Sequence, residues 1–446
     1  MKIVVAGAGA GKTTTMAEEV LTRYGELKDG KIIYVITYTN AARDHIRNKI
    51  TEQHGSIPTQ IKVKTAHAFL LQEIIFPFHH LLYGQLYSGV SAINLPDNHT
   101  YKTKKLKELR EKNIIHVEEV TKIARYVVNG KSTDRKVVKD RRLKVISIIK
   151  KYLDSIFIDE AQDMDADLSR IIKTFYINEF YLYIVGDPKQ DLRGRSELRQ
   201  LISSYPHFVK YKKENYRCPR SLVKLSNKYV PKEESQEYQK EEEGSIHYLF
   251  EKDINISNFF DNETFEYIYI YQKNERFITS DKDRDTHKNL LEYELKCLFK
   301  KIDCAENHVE KRAFVLLRWV QKNIIVKNNW GIVNGISDLL SLELSSQDKA
   351  RMIAALDLNR EILFKEGIIV DSIDKVKGLE GDRCLFILTT ELAEYFFQNK
   401  TKQNKMANYL YVALTRAKKE LFILITMEVE ERYGRQWIEN KLKALL

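Results

Sequence analysis

The run Lys2-Ile3-Val4-Val5-Ala6-Gly7-Ala8-Gly9-Ala10-Gly11-Lys12-Thr13-Thr14 decides the fold. An apolar, β-branched stretch, Lys2–Val5, enters a loop of glycine and alanine alone, and helix-forming sequence follows from Thr15. Small residues let backbone N–H groups approach an anion at a helix N-terminus. The following Lys-Thr supplies a cation for phosphate and a hydroxyl for a divalent metal. Strand, loop, Lys-Thr and helix agree on a nucleotide phosphate site, against the alternative of a glycine-rich strand–helix turn that binds nothing. In this reading Ala8, Gly9, Gly11, Lys12, Thr13 and Thr14 hold the nucleotide, and Lys12 reaches the β/γ-phosphates.

A second element fits beside it. Ser155-Ile156-Phe157-Ile158-Asp159-Glu160-Ala161-Gln162-Asp163 is an apolar strand that delivers two adjacent carboxylates at its carboxyl end, where open α/β sheets bind ligands. Asp159 is expected to share Mg²⁺ with Thr13, and Glu160 to activate the attacking water. Taken alone, Asp-Glu after a strand is more often a charge pair at a helix start. A third strand, Tyr181–Val185, leads to Gly186-Asp187-Pro188-Lys189-Gln190, whose Gln190 is placed to sense the γ-phosphate or the water.

Apolar runs ending in polar turns and followed by helical sequence recur at Ile32–Thr37, Ile61–Lys64, Ser245–Phe250, Tyr267–Tyr271, Ile368–Asp371, Cys384–Leu388 and Leu421–Ile425. This alternation predicts an α/β fold with two tandem parallel sheets. Two helix-rich stretches interrupt them, at about 72–150 and about 285–366. The expected layout is a first ATP-binding domain over 1–204 and a second domain over 205–446, each with one helical insertion. Pro231–Gly244, rich in Lys, Glu and Gln, reads as an exposed loop or frayed helix.

Composition narrows the partners. The chain has 446 residues, 43 % hydrophobic and 30 % charged, with 73 Lys+Arg against 62 Asp+Glu and a net charge of +11. That supports sizeable cores and argues against a chain dominated by disorder. No apolar run approaches the ~18 residues of a membrane span. The early glycine loop leaves no room for a signal peptide, so a cytoplasmic location is expected. Cys218, Cys297, Cys304 and Cys384 form no CxxC and read as ordinary thiols. The charge is local: Tyr101–Lys150 holds 16 Lys+Arg and 6 Asp+Glu, a net of +10. This block marks either a polyanion partner or a solvated helical face.

Together these motifs resemble superfamily 1A helicases of the UvrD/Rep/PcrA type, and further segments follow in that family's order. Thr37-Tyr38-Thr39-Asn40-Ala41-Ala42 and Thr65-Ala66-His67-Ala68-Phe69 resemble segments that touch single-stranded DNA. The resemblance thus assigns Tyr38, Thr39, Asn40, Thr65, His67 and Phe69 to DNA. From the residues alone, Phe69 is equally a core residue and His67 a buried structural imidazole. Asn215-Tyr216-Arg217 resembles the element whose Tyr stacks on adenine and whose Arg reaches the γ-phosphate. Lys377-Gly378-Leu379-Glu380 resembles the one whose Glu meets the ribose, with Gly378 beside it, and Tyr411–Ala417 the one supplying a second arginine, Arg416. The resemblance implies two RecA-like domains with ATP hydrolysed in the cleft between them by Lys12, Glu160, Gln190, Arg217 and Arg416. It implies a Mg-ATP-dependent 3′→5′ motor on single-stranded or partly duplex DNA. The basic block falls where the family inserts a DNA-binding accessory domain.

Departures qualify this. The family's adenine-reading segment before the first strand is absent here, which predicts weak base discrimination. After Gln190 the run Asp191-Leu192-Arg193-Gly194-Arg195 has no stacking aromatic, and Asp374 stands where the family has a histidine. The compact layout is also similar to the helicase-like subunits of anti-phage systems of the Gabija type. That favours an alternative, a nucleic-acid-sensing ATPase regulating a partner nuclease with little unwinding.

Overall fold

The computed structural model describes residues 1–96, 98–256, 259, 263–274, 276–279, 282–302, 306–324, 327–364, 368–398 and 400–445. The chain divides into two compact units. One joins Met1–Asp253 to Lys377–Leu446, and the other is Ile254–Val376.

In the first unit, β1 (Lys2–Ala6), β2 (Ile32–Thr37) and β3 (Ile61–Thr65) begin an all-parallel sheet. The short β4 (Gly89–Ser91) and β5 (Ile114–His116) pair only with each other, inside the basic insertion. The sheet resumes with β6 (Leu153–Ile158), β7 (Tyr181–Gly186) and β8 (Val209–Lys212), in the order β3-β2-β6-β7-β1-β8. Successive side chains alternate between faces. Tyr34, Ile36, Ile156, Ile158 and Ile184 pack into one core with the insertion. Ile33, Val35, Phe157, Tyr183 and Val185 pack into a second with Met16, Val20, Ile46 and Ile50. Burial on both faces explains why these strands read as continuous apolar runs.

The insertion is helical at Phe76–Tyr83, His99–Glu111, Val120–Val128 and Lys136–Tyr152. Its Val120, Ile123, Val127 and Ile149 share the core of the sheet. It is therefore built onto the frame of the first sheet.

Two short strands follow, β9 (Glu214–Asn215) and β10 (Glu237–Tyr238), paired in parallel. Pro231–Gly244 is mostly exposed and begins with a short helical turn, in keeping with the reading as an exposed loop or frayed helix, but two of its residues turn inward. Glu234 and Gln236 are buried, because Lys189 and Arg199 bind the Glu234 carboxylate. β11 (Ser245–Phe250) completes this part of the chain.

The second unit holds β12 (Tyr267–Ile270), β13 (Phe277–Thr279) and β14 (Ile368–Ser372), parallel in the order β12-β14-β13. Four helices lie between β13 and β14 in sequence: Lys282–Lys301, Glu306–Asn323, Asn329–Leu340 and Ser346–Phe364. Leu291, Leu295, Leu316, Val320, Ile336 and Leu356 give them a core of their own. Returning to the first unit, β15 (Gly381–Leu388) and β16 (Ala417–Ile425) form a parallel set with β11 in the order β11-β16-β15. The α/β class with parallel sheets is the one expected. Among the described residues no helix is long and apolar enough to cross a membrane. Cys218, Cys297 and Cys384 are free thiols, and Cys304 lies outside the described residues.

Candidate functional site: the phosphate loop and its carboxylates

β1 ends at Ala6, and α1 (Lys12–Gly25) begins at Lys12. Between them Gly9 (φ 70°) and Gly11 (φ 67°) take the left-handed conformation that favours glycine. Gly9 has a second reason to be glycine: a Cβ there would lie 2.4 Å from Arg217 Cβ. The loop is thus pressed against the 215–217 segment, and the Tyr216 N–H donates to Gly9 O at 2.9 Å. Asn215 Oδ1 accepts from the N–H groups of Arg217 and Cys218, which fixes that turn. The Tyr216 ring is exposed beside Gly11, open for a base to stack on. Lys12 Nζ donates back to Ala6 O (3.4 Å) and Gly7 O (3.3 Å). Thr13 is half-buried and Thr14 exposed in the first turn of α1.

The carboxylate strand β6 stops beside it. Asp159 is buried, and its Oδ1 accepts the Glu160 N–H at 2.9 Å. Burial, reinforced by the Glu160 charge and opposed by Lys12, raises its carboxyl to about 7. A buried carboxyl whose charge is opposed by burial and by Glu160 is one that a nearby cation would stabilise. The Thr13 hydroxyl and Asp159, with phosphate oxygens and water, would make an all-oxygen donor set of the kind that fits Mg²⁺. Glu160 is left-handed (φ 50°), and its carboxylate receives the Gln162 amide. Gln162 Oε1 accepts the Asp187 N–H at 3.0 Å, so one side chain ties the Glu160 strand end to that of β7. Asp187 is fully buried. Burial opposes its ionisation, but the Lys189 and Lys12 charges hold it below its ordinary value. Gln190, also buried, donates to Asp187 Oδ2 at 3.0 Å.

The structure brings the two arginines to the same unit, each with partners. Arg217 Nε lies 2.5 Å from Glu380 Oε2. Arg416 is 1 % exposed and donates to Val412 O, Leu379 O and Thr415 Oγ1 at 2.9–3.1 Å. Gly378 is left-handed at φ 85°. The neighbouring Lys377 clasps Asp163 at 2.7 and 2.9 Å, joining the Gly378–Glu380 turn to the segment after Glu160.

The residues assigned to DNA divide. Phe69 has no exposed surface and packs against the Tyr34 ring 4.8 Å away, so it offers no face to a base; that expectation is corrected. Tyr38 packs partly against the same core, with its hydroxyl buried. Thr39 and Thr65 cap the helices Asn40–His54 and Ala66–Phe69 by accepting from Ala42 and Ala68 N–H groups. Asn40, which holds Arg43 at 3.0 Å, and His67 are exposed, so His67 is not a buried structural imidazole. In the second unit, Tyr271, Gln272, Lys273, Thr279, Ser372, Asp374 and Lys375 line a polar pocket of about 600 Å³ at the carboxyl ends of its strands.

Sequence reasoning missed Gln162, though it stood in the quoted carboxylate run, and the Lys377–Asp163 pair. It also missed Gln236. That residue lies in a polar run with no motif, yet its Nε2 donates to Ala8 O at 2.9 Å. The Ala8 N–H, assigned to phosphate, donates here to the Tyr411 hydroxyl at 3.0 Å.

Residues 1–194 match the AAA_19 family, described as an AAA domain. Over those residues the chain is similar to that domain family. The loop, both carboxylates and Gln190 all fall within the AAA domain, whereas Arg217, Glu380 and Arg416 lie beyond it. The whole chain is similar to the Gabija protein GajB of Bacillus cereus (strain VD045), with 24 % identity over 99 % of this chain and 96 % of that protein. Among solved structures, an arterivirus nonstructural protein 10 (helicase) in complex with DNA aligns with 95 % of the chain at 12 % identity and a TM-score of 0.38. The chain spans 59 % of that helicase's length.

Proposed function

We propose that the chain hydrolyses Mg-ATP in response to DNA, as a UvrD-like motor acting on single-stranded DNA with 3′→5′ polarity. The observation that carries this reading is the convergence on one unit of the phosphate loop, the Asp159–Glu160 pair and the two arginines. Phosphoryl transfer asks the protein mainly for positioning and charge stabilisation. Lys12 leaves the Ala6 and Gly7 carbonyls for the β/γ-phosphate oxygens. Glu160, oriented by Gln162, takes a proton from the attacking water. Arg217 exchanges Glu380 for the γ-phosphate, and Tyr216 stacks on adenine. Thr13 and Asp159 would hold Mg²⁺, which supplies charge neutralisation at the phosphates. In this reading 1–204 and 205–446 act as two RecA-like domains.

The match to GajB along nearly the whole chain favours a second reading. Here the chain is the ATPase subunit of a two-component anti-phage system of the Gabija type, sensing nucleic acid and regulating a partner nuclease. The buried Phe69, and the Asp191–Arg195 run without an aromatic, weaken base stacking and support it. ATP hydrolysis with and without single-stranded DNA, combined with a strand-separation assay, tests both readings. Unwinding from a 3′ tail supports the motor. Strong DNA stimulation without strand separation supports the sensing subunit. No hydrolysis under either condition overturns both.

A further inference from the structure

Tyr411 and Gln236 form a buried polar clamp on the phosphate loop. The Ala8 N–H donates to Tyr411 Oη (3.0 Å), the Tyr411 hydroxyl donates to Gln236 Oε1 (3.0 Å), and Gln236 Nε2 donates to Ala8 O (2.9 Å), closing a ring. Asn215 Nδ2 donates to the same Gln236 oxygen at 3.2 Å. A Cβ at Gly7 would stand 2.4 Å from Gln236 Cδ, so the loop and the amide are in direct apposition. The polar segment carrying Gln236 is held inward by charge. Lys189, 1 % exposed, lies 3.5 Å from Glu234 Oε2 and 3.1 Å from Asp187 Oδ1, and its ammonium sits 5.1 Å from the Tyr411 ring centroid. From Tyr411 the hydrogen bonds continue: Thr415 Oγ1 donates to Tyr411 O at 2.9 Å, and Arg416 donates to Thr415 Oγ1 at 3.0 Å.

One N–H carries one proton, so the Tyr411 hydroxyl and a phosphate oxygen compete for Ala8. The geometry points to Tyr411, seated by Gln236, as a nucleotide-sensing positioning residue: phosphate entering the loop displaces its hydroxyl from Ala8 and thereby shifts the turn that holds Arg416. This rests on the ATPase reading and adds two side chains to it. It explains why a glutamine in a polar run is buried against the loop. It also explains why the loop is joined through side chains to the segment that supplies the second arginine.

The test is the sign of one change. Tyr411→Phe keeps the ring and removes the competitor, leaving the Ala8 N–H without its partner until phosphate arrives. In the full-length chain, fluorescent ADP and a fluorescent non-hydrolysable ATP analogue are then expected to bind about fivefold more tightly. KM for ATP falls in step, and kcat does not rise. A residue that merely braces the loop throughout the cycle predicts the opposite sign. Unchanged or weaker binding by folded Tyr411→Phe therefore overturns the proposal. Should that variant fail to fold, Gln236→Leu, which removes the hydroxyl's acceptor and the Ala8 O donor, is read by the same sign. Wild-type protein that neither binds nor hydrolyses ATP would instead overturn the ATPase reading itself.

Discussion

Arg217 and Glu380 hold each other: the guanidinium Nε lies 2.5 Å from the carboxylate Oε2. The sequence resemblance sends Arg217 to the γ-phosphate and Glu380 to the ribose. On the proposed reading, the two would exchange each other for one nucleotide. The Glu380 carboxylate is partly exposed, so the exchange is not opposed by a deeply buried ion pair. Arg217→Ala is expected to lower kcat by about 10³-fold or more, the range of arginine fingers, while nucleotide binding changes far less. Steady-state ATPase rates beside equilibrium nucleotide titrations measure the two separately.

Glu160 is held by Gln162, which in turn holds Asp187 N–H. Glu160→Gln keeps the shape and removes the base. Turnover should fall by about 10²–10⁴-fold with nucleotide binding retained. Gln162→Ala should reproduce part of that loss, because the carboxylate keeps its chemistry and loses its orientation. Single-turnover hydrolysis by the two variants gives the comparison.

Arg141 and Arg142 are neighbours in the basic block with different tasks. Arg142 is buried against Asp134 and the Tyr83 hydroxyl, whereas Arg141 is exposed. Arg142→Ala breaks a buried pair and should cost about 3–5 kcal/mol of stability. Arg141→Glu should leave stability within about 0.5 kcal/mol and weaken DNA binding alike for all sequences, with a shallower salt dependence. Denaturant unfolding and salt-titrated DNA affinity decide this.

Asp134 sets a pH limit on the same insertion. Burial would raise its carboxyl, but hydrogen bonds from the Lys131 N–H, Tyr83 and Arg142 override that and hold it below its ordinary 3.8. A depressed folded-state value contributes stability above the unfolded value, and that stability is lost as pH falls through the folded one. Acid unfolding of the insertion should therefore steepen below about pH 4. Asp134→Asn should flatten that dependence while being less stable at pH 7. Hydrogen exchange across 120–152 reports it.

Phe69 and His67 separate core from surface two residues apart. Phe69→Ala should cost about 3–5 kcal/mol through the cavity it leaves. His67→Ala should leave stability nearly unchanged and lower DNA affinity. Thermal melts paired with DNA titrations distinguish the two.

How far the fold was legible depended on the element. Ile32–Thr37 could be bounded at both ends because a β-branched run buried on both faces has no competing period. Val209–Lys212 escaped notice because it pairs with one neighbour only, β1, and alternates apolar residues with lysine. The phosphate loop was legible because its chemistry demands small residues at set places. The burial of Gln236 was not, since it depends on Lys189 and Arg199, which meet Glu234 only after folding. Nor could one aromatic, Phe69, declare which side of a short helix it faced. Contacts between distant segments carry no local period, and those were the ones missed.

The first unit is sewn from two stretches of chain, and Ala8 meets Tyr411 across 403 residues. A ribosome makes the phosphate loop 403 residues before the Tyr411 that clamps it. A prematurely ended product that stops within the intervening unit would own every residue of the loop and both carboxylates, yet lack Arg416. On the proposed reading, such a product would bind nucleotide without the arginine that completes the site.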